Sequence, residues 1–105
     1  NGTRLIKTSS LFAKTVIPKE YKLAQPYPNP FNPSLSIPIE IKKRSNVNIT
    51  VFDINGHFVE EVISQSMNMG EYKFFWDASQ NSSGLYIIQT KIDQKVYKSK
   101  ALLLK

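Results

Sequence analysis

The sequence has 105 residues, with 14 Lys plus Arg against 8 Asp plus Glu and a formal net charge of +6. That length fits one domain with a short extension rather than two full domains. The chain contains no Cys, which excludes thiol nucleophiles, cysteine metal sites and disulfide bonds. No apolar run approaches the roughly 18 residues of a membrane-spanning helix, so we expect no membrane insertion. Because position 1 is Asn rather than Met, we expect a piece of a longer polypeptide.

The chain begins with two segments that do not have the pattern of regular strands. Residues 1–17 alternate short apolar patches with Lys, Ser and Thr, and we predict a linker or the tail of an upstream domain. All six prolines then fall between Pro18 and Pro38. A long helix is therefore excluded from that part of the chain.

The proline-rich part contains a segment with two aromatic residues. It reads Tyr27-Pro28-Asn29-Pro30-Phe31-Asn32-Pro33. Each proline restricts its own φ and the residue before it, so the unfolded segment is already stiff and docking it costs little entropy. We predict that Tyr27 and Phe31 are aromatic anchors and that Asn29 and Asn32 bond nearby backbone. The alternative is a proline-rich linker, although linkers rarely carry large aromatic side chains.

The remaining sequence alternates apolar and polar residues with the period of β-strands. Strands are predicted at about 36–41, 47–51, 57–63, 71–77, 85–92 and 96–104. Pro38 cannot donate a ladder hydrogen bond, which predicts an edge or a bulge at that position. Asp53-Ile54-Asn55-Gly56 predicts a tight hairpin turn, and residues 64–68 are predicted to form a loop. With no credible helix, the pattern predicts an antiparallel sandwich or barrel.

The positive charge is concentrated in two places. Lys42-Lys43-Arg44 is predicted to be a solvated turn between strands. Further lysines lie near the end of the sequence: Lys91, Lys95, Lys98, Lys100 and Lys105. No aromatic RNA-binding motif, Arg-rich helix or Gly-rich basic repeat accompanies them. We therefore predict no nucleic-acid partner, and lysines that decorate turns and strand edges and discourage aggregation.

Candidate catalytic residues are few. His57 is the only His, whereas metal sites and acid–base triads usually need His with partners. Asp53 opens a stretch that is similar to a calcium loop, but Ser64 stands where the loop needs Glu. Glu60 and Glu61 are neighbours on a strand and point to opposite faces. We therefore predict no enzyme activity, no metal and no cofactor.

The aromatic residues divide between the predicted core and the predicted surface. Tyr72, Phe74 and Trp76 share one face of a strand, and we predict that they form part of a sandwich core. Phe52 and Phe75 fall on the opposite, outward faces. They are therefore better candidates for a contact surface than Trp76.

Five motifs, taken in chain order, resemble one known family. They are the segment Tyr27 to Ser34, Asp53-x-x-Gly56-x-x-Val59, Gly70-x-Tyr72-x-Phe74-x-Trp76-Asp77, Gly84-Leu85-Tyr86, and the basic-then-apolar stretch Lys98 to Lys105. Together they resemble the C-terminal sorting domains of the type IX secretion system, and the related Ig-like domain of the flagellar hook-cap protein. The resemblance covers about residues 18–105. Gln25-Pro26 departs from the Gln-Asn that is common in the family.

The resemblance implies an Ig-like antiparallel β-sandwich of about seven strands over residues 18–105. It implies a non-catalytic C-terminal signal that directs a cargo protein through the type IX system across the outer membrane of a Gram-negative, Bacteroidetes-type bacterium. The expected partners are the translocon and the cell-surface sorting and protease machinery. The domain would pass through the periplasm as a monomer and reach the cell surface or the medium. Cleavage is expected in the linker before Pro18.

The motif residues expected to act in sorting or recognition are Tyr27, Pro28, Asn29, Pro30, Phe31, Asn32, Pro33, Gly84, Tyr86, Lys98, Lys100, Leu102, Leu103, Leu104 and Lys105. One hypothesis is that a receptor adds a strand to residues 96–104 at a sheet edge. Lys98 and Lys100 would then steer the encounter and Leu102 to Leu104 would supply apolar contact. Alternatively, residues 96–104 are simply the final core strand, and both can be true.

Two other functions remain open. An Ig-like module that binds glycan predicts that Phe52 or Phe75 lines a groove. A structural spacer or assembly module predicts that export does not need this domain.

Overall fold

The computed structural model describes residues 21–105. This part of the chain contains seven strands and no helix, so no helix within it could cross a membrane. The strands are β1 (Tyr21–Leu23), β2 (Ser34–Ile41), β3 (Ser45–Asp53), β4 (Phe58–Met67), β5 (Gly70–Asp77), β6 (Gly84–Ile92) and β7 (Lys95–Leu103). The predicted linker, residues 1–17, lies outside the described residues.

The strands form two sheets, ordered β1-β2-β5 and β4-β3-β6-β7, and every neighbouring pair is antiparallel. The chain changes sheet between β2 and β3, between β4 and β5, and between β5 and β6. β3–β4 and β6–β7 are hairpins within the larger sheet. The fold is consistent with the expected Ig-like sandwich, which confirms the predicted fold class.

The core lies between the sheets and follows the period-2 pattern of the sequence. Its buried members include one face of β2, one face of β3 and alternate residues of β6 and β7, together with Trp76. On these strands they are Leu35, Ile37, Ile39, Ile41, Val47, Ile49, Val51, Tyr86, Ile88, Ile92, Ala101 and Leu103. Each fully buried Leu, Ile or Val side chain contributes about 1.5–3 kcal/mol relative to exposure. The predicted core face of Tyr72, Phe74 and Trp76 is confirmed, since the first two pack against this cluster.

Pro38 lies inside a central strand, yet its missing donor causes no broken ladder. Ser36 bonds Tyr27 on the side of β2 that faces away from β5, so Pro38, two residues on, has its nitrogen on that same side. β1 pairs only as far as Ile39. Pro38 therefore faces the gap between β1 and Tyr27, and the strand is an edge at that point, as predicted.

The prediction for β4 is wrong at its end. Residues 64–67 belong to the strand and pair with β3, from Ser64 opposite Asn48 to Met67 opposite Ser45. The alternation of apolar and polar residues in β4 breaks because the register with β3 shifts twice, which leaves Val59 and Val62 as extra residues in β4. Both extra valines pack against the core.

The predicted turn at Asp53 to Gly56 is confirmed. The Gly56 N–H donates to the Asp53 carbonyl over 3.0 Å, and the Asp53 N–H donates to the His57 carbonyl over 2.9 Å. Gly56 has φ 85°, whereas Asn55 is not among the residues with positive φ. Glycine therefore supplies the left-handed position of this turn.

Candidate functional site

The proline-rich segment crosses from one sheet to the other. Tyr27 exchanges two backbone hydrogen bonds with Ser36 of β2, at 2.9 and 2.8 Å. Four residues later Phe31 lies parallel to Leu103 at the edge of β7. The Phe31 N–H donates to the Leu102 carbonyl (2.9 Å), and the Leu104 N–H donates to the Phe31 carbonyl (3.1 Å). We call residues 27–31 the leader, and the leader with residues 100–105 the seam.

The side chain of Asn29 completes the seam by acting as a piece of backbone. Its Nδ2 donates to the Lys100 carbonyl over 3.2 Å, and its Oδ1 accepts the Leu102 N–H over 2.9 Å. A side-chain amide offers a donor and an acceptor, as a peptide group does. Backbone bonding by Asn29 is thus confirmed, but the partners are 71 and 73 residues away rather than nearby. The Asn32 side chain is exposed and makes no hydrogen bond within residues 21–105.

The two predicted aromatic anchors differ. Phe31 is 2% exposed, and its ring centroid lies 5.6 Å from that of Trp76. Tyr27 keeps its ring at the surface, 45% exposed, where the Lys73 Nζ lies 5.6 Å from the ring centroid. The anchor prediction is confirmed for Phe31 and wrong for Tyr27, because Tyr27 is held through its backbone.

Tyr86 places the Gly84-Leu85-Tyr86 motif against the same core. Its ring meets Trp76 edge-on at 5.2 Å, and its hydroxyl donates to the Ser82 carbonyl over 2.6 Å. This bond to backbone four residues upstream is the arrangement of a tyrosine corner. Tyr72 repeats it with the Asn68 carbonyl at 2.8 Å. Both tyrosines fix connections between the two sheets.

The end of β7 divides its residues between core and surface. Leu103 is fully buried, so its side chain is not available for the predicted apolar contact. Leu104 is 50% exposed and Leu102 is half-buried. Lys98 and Lys100 are exposed, on the opposite face of β7 from Leu103.

Lys105 is tied to the connection between β5 and β6. Its N–H donates to the Ser83 Oγ (2.9 Å). Its Nζ donates to the carbonyls of Ser79 (2.8 Å) and Asn81 (2.9 Å). Pro33, from the other end of the motif set, accepts the Ala78 N–H at the start of the same connection (2.9 Å).

The predicted edge position of the last strand is confirmed, since β7 borders the larger sheet. The leader already bonds the outward groups of this edge at Lys100, Leu102 and Leu104. A receptor strand could therefore pair there only by displacing the leader. By strand alternation, Val96 and Lys98 direct their backbone groups outward too, and no bond to them is seen within residues 21–105.

The motif residues thus separate into two sets. The seam brings together Asn29, Phe31, Leu102, Leu104 and Lys105, with Gly84 paired to Leu103. Several others make no hydrogen bond across the seam and are exposed or half-buried: Tyr27, Pro28 and Pro30 within the leader, and Asn32, Pro33 and Lys98 outside the seam. The contact between leader and last strand was missed by sequence reasoning, because no local pattern links residues this far apart.

The β3–β4 hairpin carries an aromatic pair of which sequence reasoning identified one member. Phe52 is half-buried, and its ring meets that of Phe58 edge-on at 6.5 Å. Phe58, 64% exposed, was not predicted as a surface residue. Its pairing opposite Phe52 depends on the register shift in β4. Phe75, the other predicted surface aromatic, is 61% exposed on the smaller sheet.

Titratable groups near the hairpin serve the fold. The pKa of Asp53 lies below its ordinary value, chiefly because its carboxylate accepts the backbone N–H of His57, and also that of Asn55. Glu60 accepts from the Trp76 indole (3.2 Å), while Glu61 accepts from the Asn48 amide (2.6 Å). No group of three or more His, Asp or Glu side chains that could hold a metal ion occurs in the described part of the chain.

A comparison with known protein families identifies the family of this chain. Residues 25–104 match the family described as the secretion system C-terminal sorting domain. This chain belongs to that family. The match confirms the resemblance to type IX sorting domains and includes both sides of the seam. Sorting domains of this family are generally non-catalytic.

Among solved structures, this sorting domain is similar to part of dimeric latent PorU from Porphyromonas gingivalis. The TM-score is 0.56 at 14% sequence identity, with 94% of this chain and 10% of that chain covered. The sorting domain therefore spans about a tenth of the PorU chain, and at this identity the likeness shows a shared fold. No curated protein matches the sequence.

Proposed function

We propose that residues 18–105 are a non-catalytic sorting signal that directs an upstream cargo protein through the type IX secretion system, across the outer membrane, to the cell surface. One observation carries the proposal: the family match runs from residue 25 to residue 104. It therefore includes the whole sandwich apart from β1, with the leader and β7 joined at the seam.

The partners follow from the same membership. The sorting domain interacts with the translocon and then with surface machinery that cleaves the chain within residues 1–17. The domain passes through the periplasm as a folded monomer that needs no cofactor. The cargo is released into the medium or remains attached at the surface.

From their burial and bonding we infer different roles for the motif residues. Asn29, Phe31, Tyr86 and Leu103 are engaged in the fold, so their part in sorting is to keep the domain folded. Direct contact with the machinery falls to exposed groups, among them Lys98, Lys100 and Leu104. Lys98 and Lys100 would steer an acidic receptor surface by long-range attraction.

The test is a fluorescent reporter fused ahead of residues 1–105 in a host that carries the export system. We expect the reporter at the surface or in the medium, whereas the reporter without the domain stays in the periplasm. Retention of the intact fusion in the periplasm would contradict the proposed function. Equal export of the reporter alone would instead favour a structural spacer.

Charge-reversal variants test the steering role without removing core residues. Deleting Lys98–Lys105 would remove the buried Ala101 and Leu103, so retention of that truncation would not distinguish misfolding from lost recognition. We expect Lys98→Glu with Lys100→Glu to slow export. The same change at Lys91 and Lys95 is the matched control and should leave export unchanged.

A second function, glycan binding, is favoured by one observation. Phe52 lines an open groove with Ile87, Gln89 and Lys98, as the glycan-binding alternative requires. Retention of the domain on insoluble glycan in a pull-down, lost in Phe52→Ala, would support this function. A domain that washes through freely would remove it.

A further inference from the structure

The outer face of the larger sheet has an apolar half and a polar half. Near the β3–β4 hairpin, one register row joins Phe58, Phe52, Ile87 and Lys100 across all four strands. At the far end, the outward residues of β3 and β6 are Asn46, Asn48 and Lys91. We call the apolar half the hairpin patch; its members are Phe52, Ile54, Phe58, Leu85, Ile87 and Leu102.

Two members of the hairpin patch, in the turn and on β4, are widely open to solvent. Ile54 is 66% exposed and Phe58 is 64% exposed. Phe52, Ile54 and Ile87 line an open groove of about 230 Å³ beside them. Single exposed apolar residues need no explanation, but a contiguous exposed patch marks a contact surface. Phe75 is such an isolated exposed residue, since its strand neighbours on the outward face are the charged Lys73 and Asp77.

The positive charge at the rim of the patch indicates the kind of partner that would bind there. Lys98 lines the groove and Lys100 stands opposite Ile87, and no ion pair joins either lysine to a carboxylate within residues 21–105. The nearby carboxylates of Asp53 and Glu61 are engaged by the hairpin turn and by Asn48. Asp53 lines the same groove and keeps its negative charge, so the two lysines leave the rim with a net positive charge, which complements carboxylates on a partner.

A second copy of the chain fits this surface poorly. An isologous contact uses the same patch of both copies, so it would collect the rim lysines of both copies in one interface. The net charge of +6 adds a general repulsion between copies.

We propose that the hairpin patch is the docking surface for a protein of the export machinery that presents apolar side chains ringed by carboxylates. This inference rests on the proposed function and names the face through which the domain is gripped. Phe58 and Ile54 enter an apolar surface of the partner, and Lys98 and Lys100 meet its acidic rim. The seam holds the backbone of Lys100 and Leu102, so it fixes one border of the patch.

The test uses the reporter fusion to residues 1–105. We expect Ile54→Ser with Phe58→Ser to lower the initial rate of surface delivery by at least about tenfold, the effect of losing one well-buried apolar contact. Phe75→Ser, equally exposed on the other sheet, should stay within about twofold of the parent. Chemical denaturation of the same variants checks that each remains folded. A photo-crosslinking residue at position 54 should capture a component of the export machinery, and one at position 75 should not.

The outcomes separate the patch from the proposed function. If the intact fusion is not exported, the sorting function itself fails. If the intact fusion and the folded patch variant are delivered at the same rate, the docking surface is overturned. Crosslinks from position 54 that join only two copies of the chain, or glycan retention lost with Phe58, would also overturn the proposed occupant.

Discussion

The seam and the hairpin patch use their side chains in opposite ways. At the seam a polar side chain, that of Asn29, is not available to a partner, because its amide nitrogen and its amide oxygen both form hydrogen bonds with the backbone of β7. At the hairpin patch an apolar side chain, Phe58, remains 64% exposed. Phe31 is chemically identical to Phe58 but is buried. Residue type alone therefore does not tell which side chains the fold buries and which it leaves exposed.

The difference has a physical origin in sheet edges. An edge strand has unpaired backbone groups that attract any strand with matching donors and acceptors. The leader satisfies those of β7 from Lys100 to Leu104. The face of the sheet presents no unpaired backbone groups, so no segment of the chain is drawn over it and its apolar side chains stay available for a partner.

The largest expected effect separates two phenylalanines. Phe31→Ala should lower the free energy of unfolding by about 3–5 kcal/mol, because it removes a buried ring and leaves a cavity beside Trp76. Phe58→Ala should change it by less than about 0.5 kcal/mol, as is usual for surface sites. Urea denaturation of the full chain followed by Trp76 fluorescence measures both. Equal losses in the two variants would erase the distinction between the seam and the patch.

A smaller effect is expected for the two asparagines of the proline-rich segment. Asn29→Ala removes two hydrogen bonds to β7 and should cost about 1–2 kcal/mol of unfolding free energy. Asn32→Ala is the matched control, and we expect a change within about 0.5 kcal/mol. Hydrogen exchange at Leu102 should accelerate in the first variant only. Normal protection of the Leu102 amide in Asn29→Ala would show that Asn29 does not hold the seam.

A still smaller effect is expected at Lys105. Lys105→Met removes two bonds from its ammonium to the carbonyls of Ser79 and Asn81. Because these bonds are at the surface, the expected loss is at most about 1 kcal/mol. Lys95→Met provides the control with the same loss of charge. If both variants have the same unfolding midpoint, the Lys105 side chain does not fasten the β5–β6 connection.

The smallest effect concerns the base of the hairpin and depends on pH. Since the folded-state pKa of Asp53 lies below its ordinary value of 3.8, its stabilisation is present above that pH and lost as pH falls through the folded pKa. Asp53→Asn should therefore be less stable than the parent near neutral pH, and the gap should close in acid. Thermal unfolding of both proteins from pH 7 to pH 2 measures the gap. A difference in stability that stays constant with pH would contradict this origin. The pKa of Asp77 is also lowered by a backbone N–H, but Asp77 is present in both proteins and does not affect the difference between them.

Much of the fold could be predicted because it depends on local alternation. The inner face of β2 was predicted from Ile37, Ile39 and Ile41. The inner face of β3 was predicted in the same way from Val47, Ile49 and Val51. The alternation failed in β4, where the extra residues Val59 and Val62 shift the phase. The polar residues Ser64, Gln65 and Ser66 then resembled a loop, although they pair with β3. Only the partner strand reveals a bulge, because the extra residue is defined by what it lacks opposite it.

The candidate site was less predictable than the fold. The stiff leader, the buried Phe31 and the backbone-bonding role of Asn29 were predicted, but the strand they bond was not. The exposed pairing of Phe58 with Phe52 was also missed, since it depends on the register of β3 and β4.

The class of fold, the turn at Gly56 and the family can all be read from the amino-acid sequence, because periodicity, turn chemistry and motif order are local properties of the chain. The closure of the β7 edge by the leader and the exposure of the apolar half of the sheet are seen only in the folded molecule. Both depend on which segments, more than 70 residues apart for the leader, become neighbours. That choice is made by the packing of the whole core, because backbone groups at an edge are satisfied by whichever segment the core brings within reach.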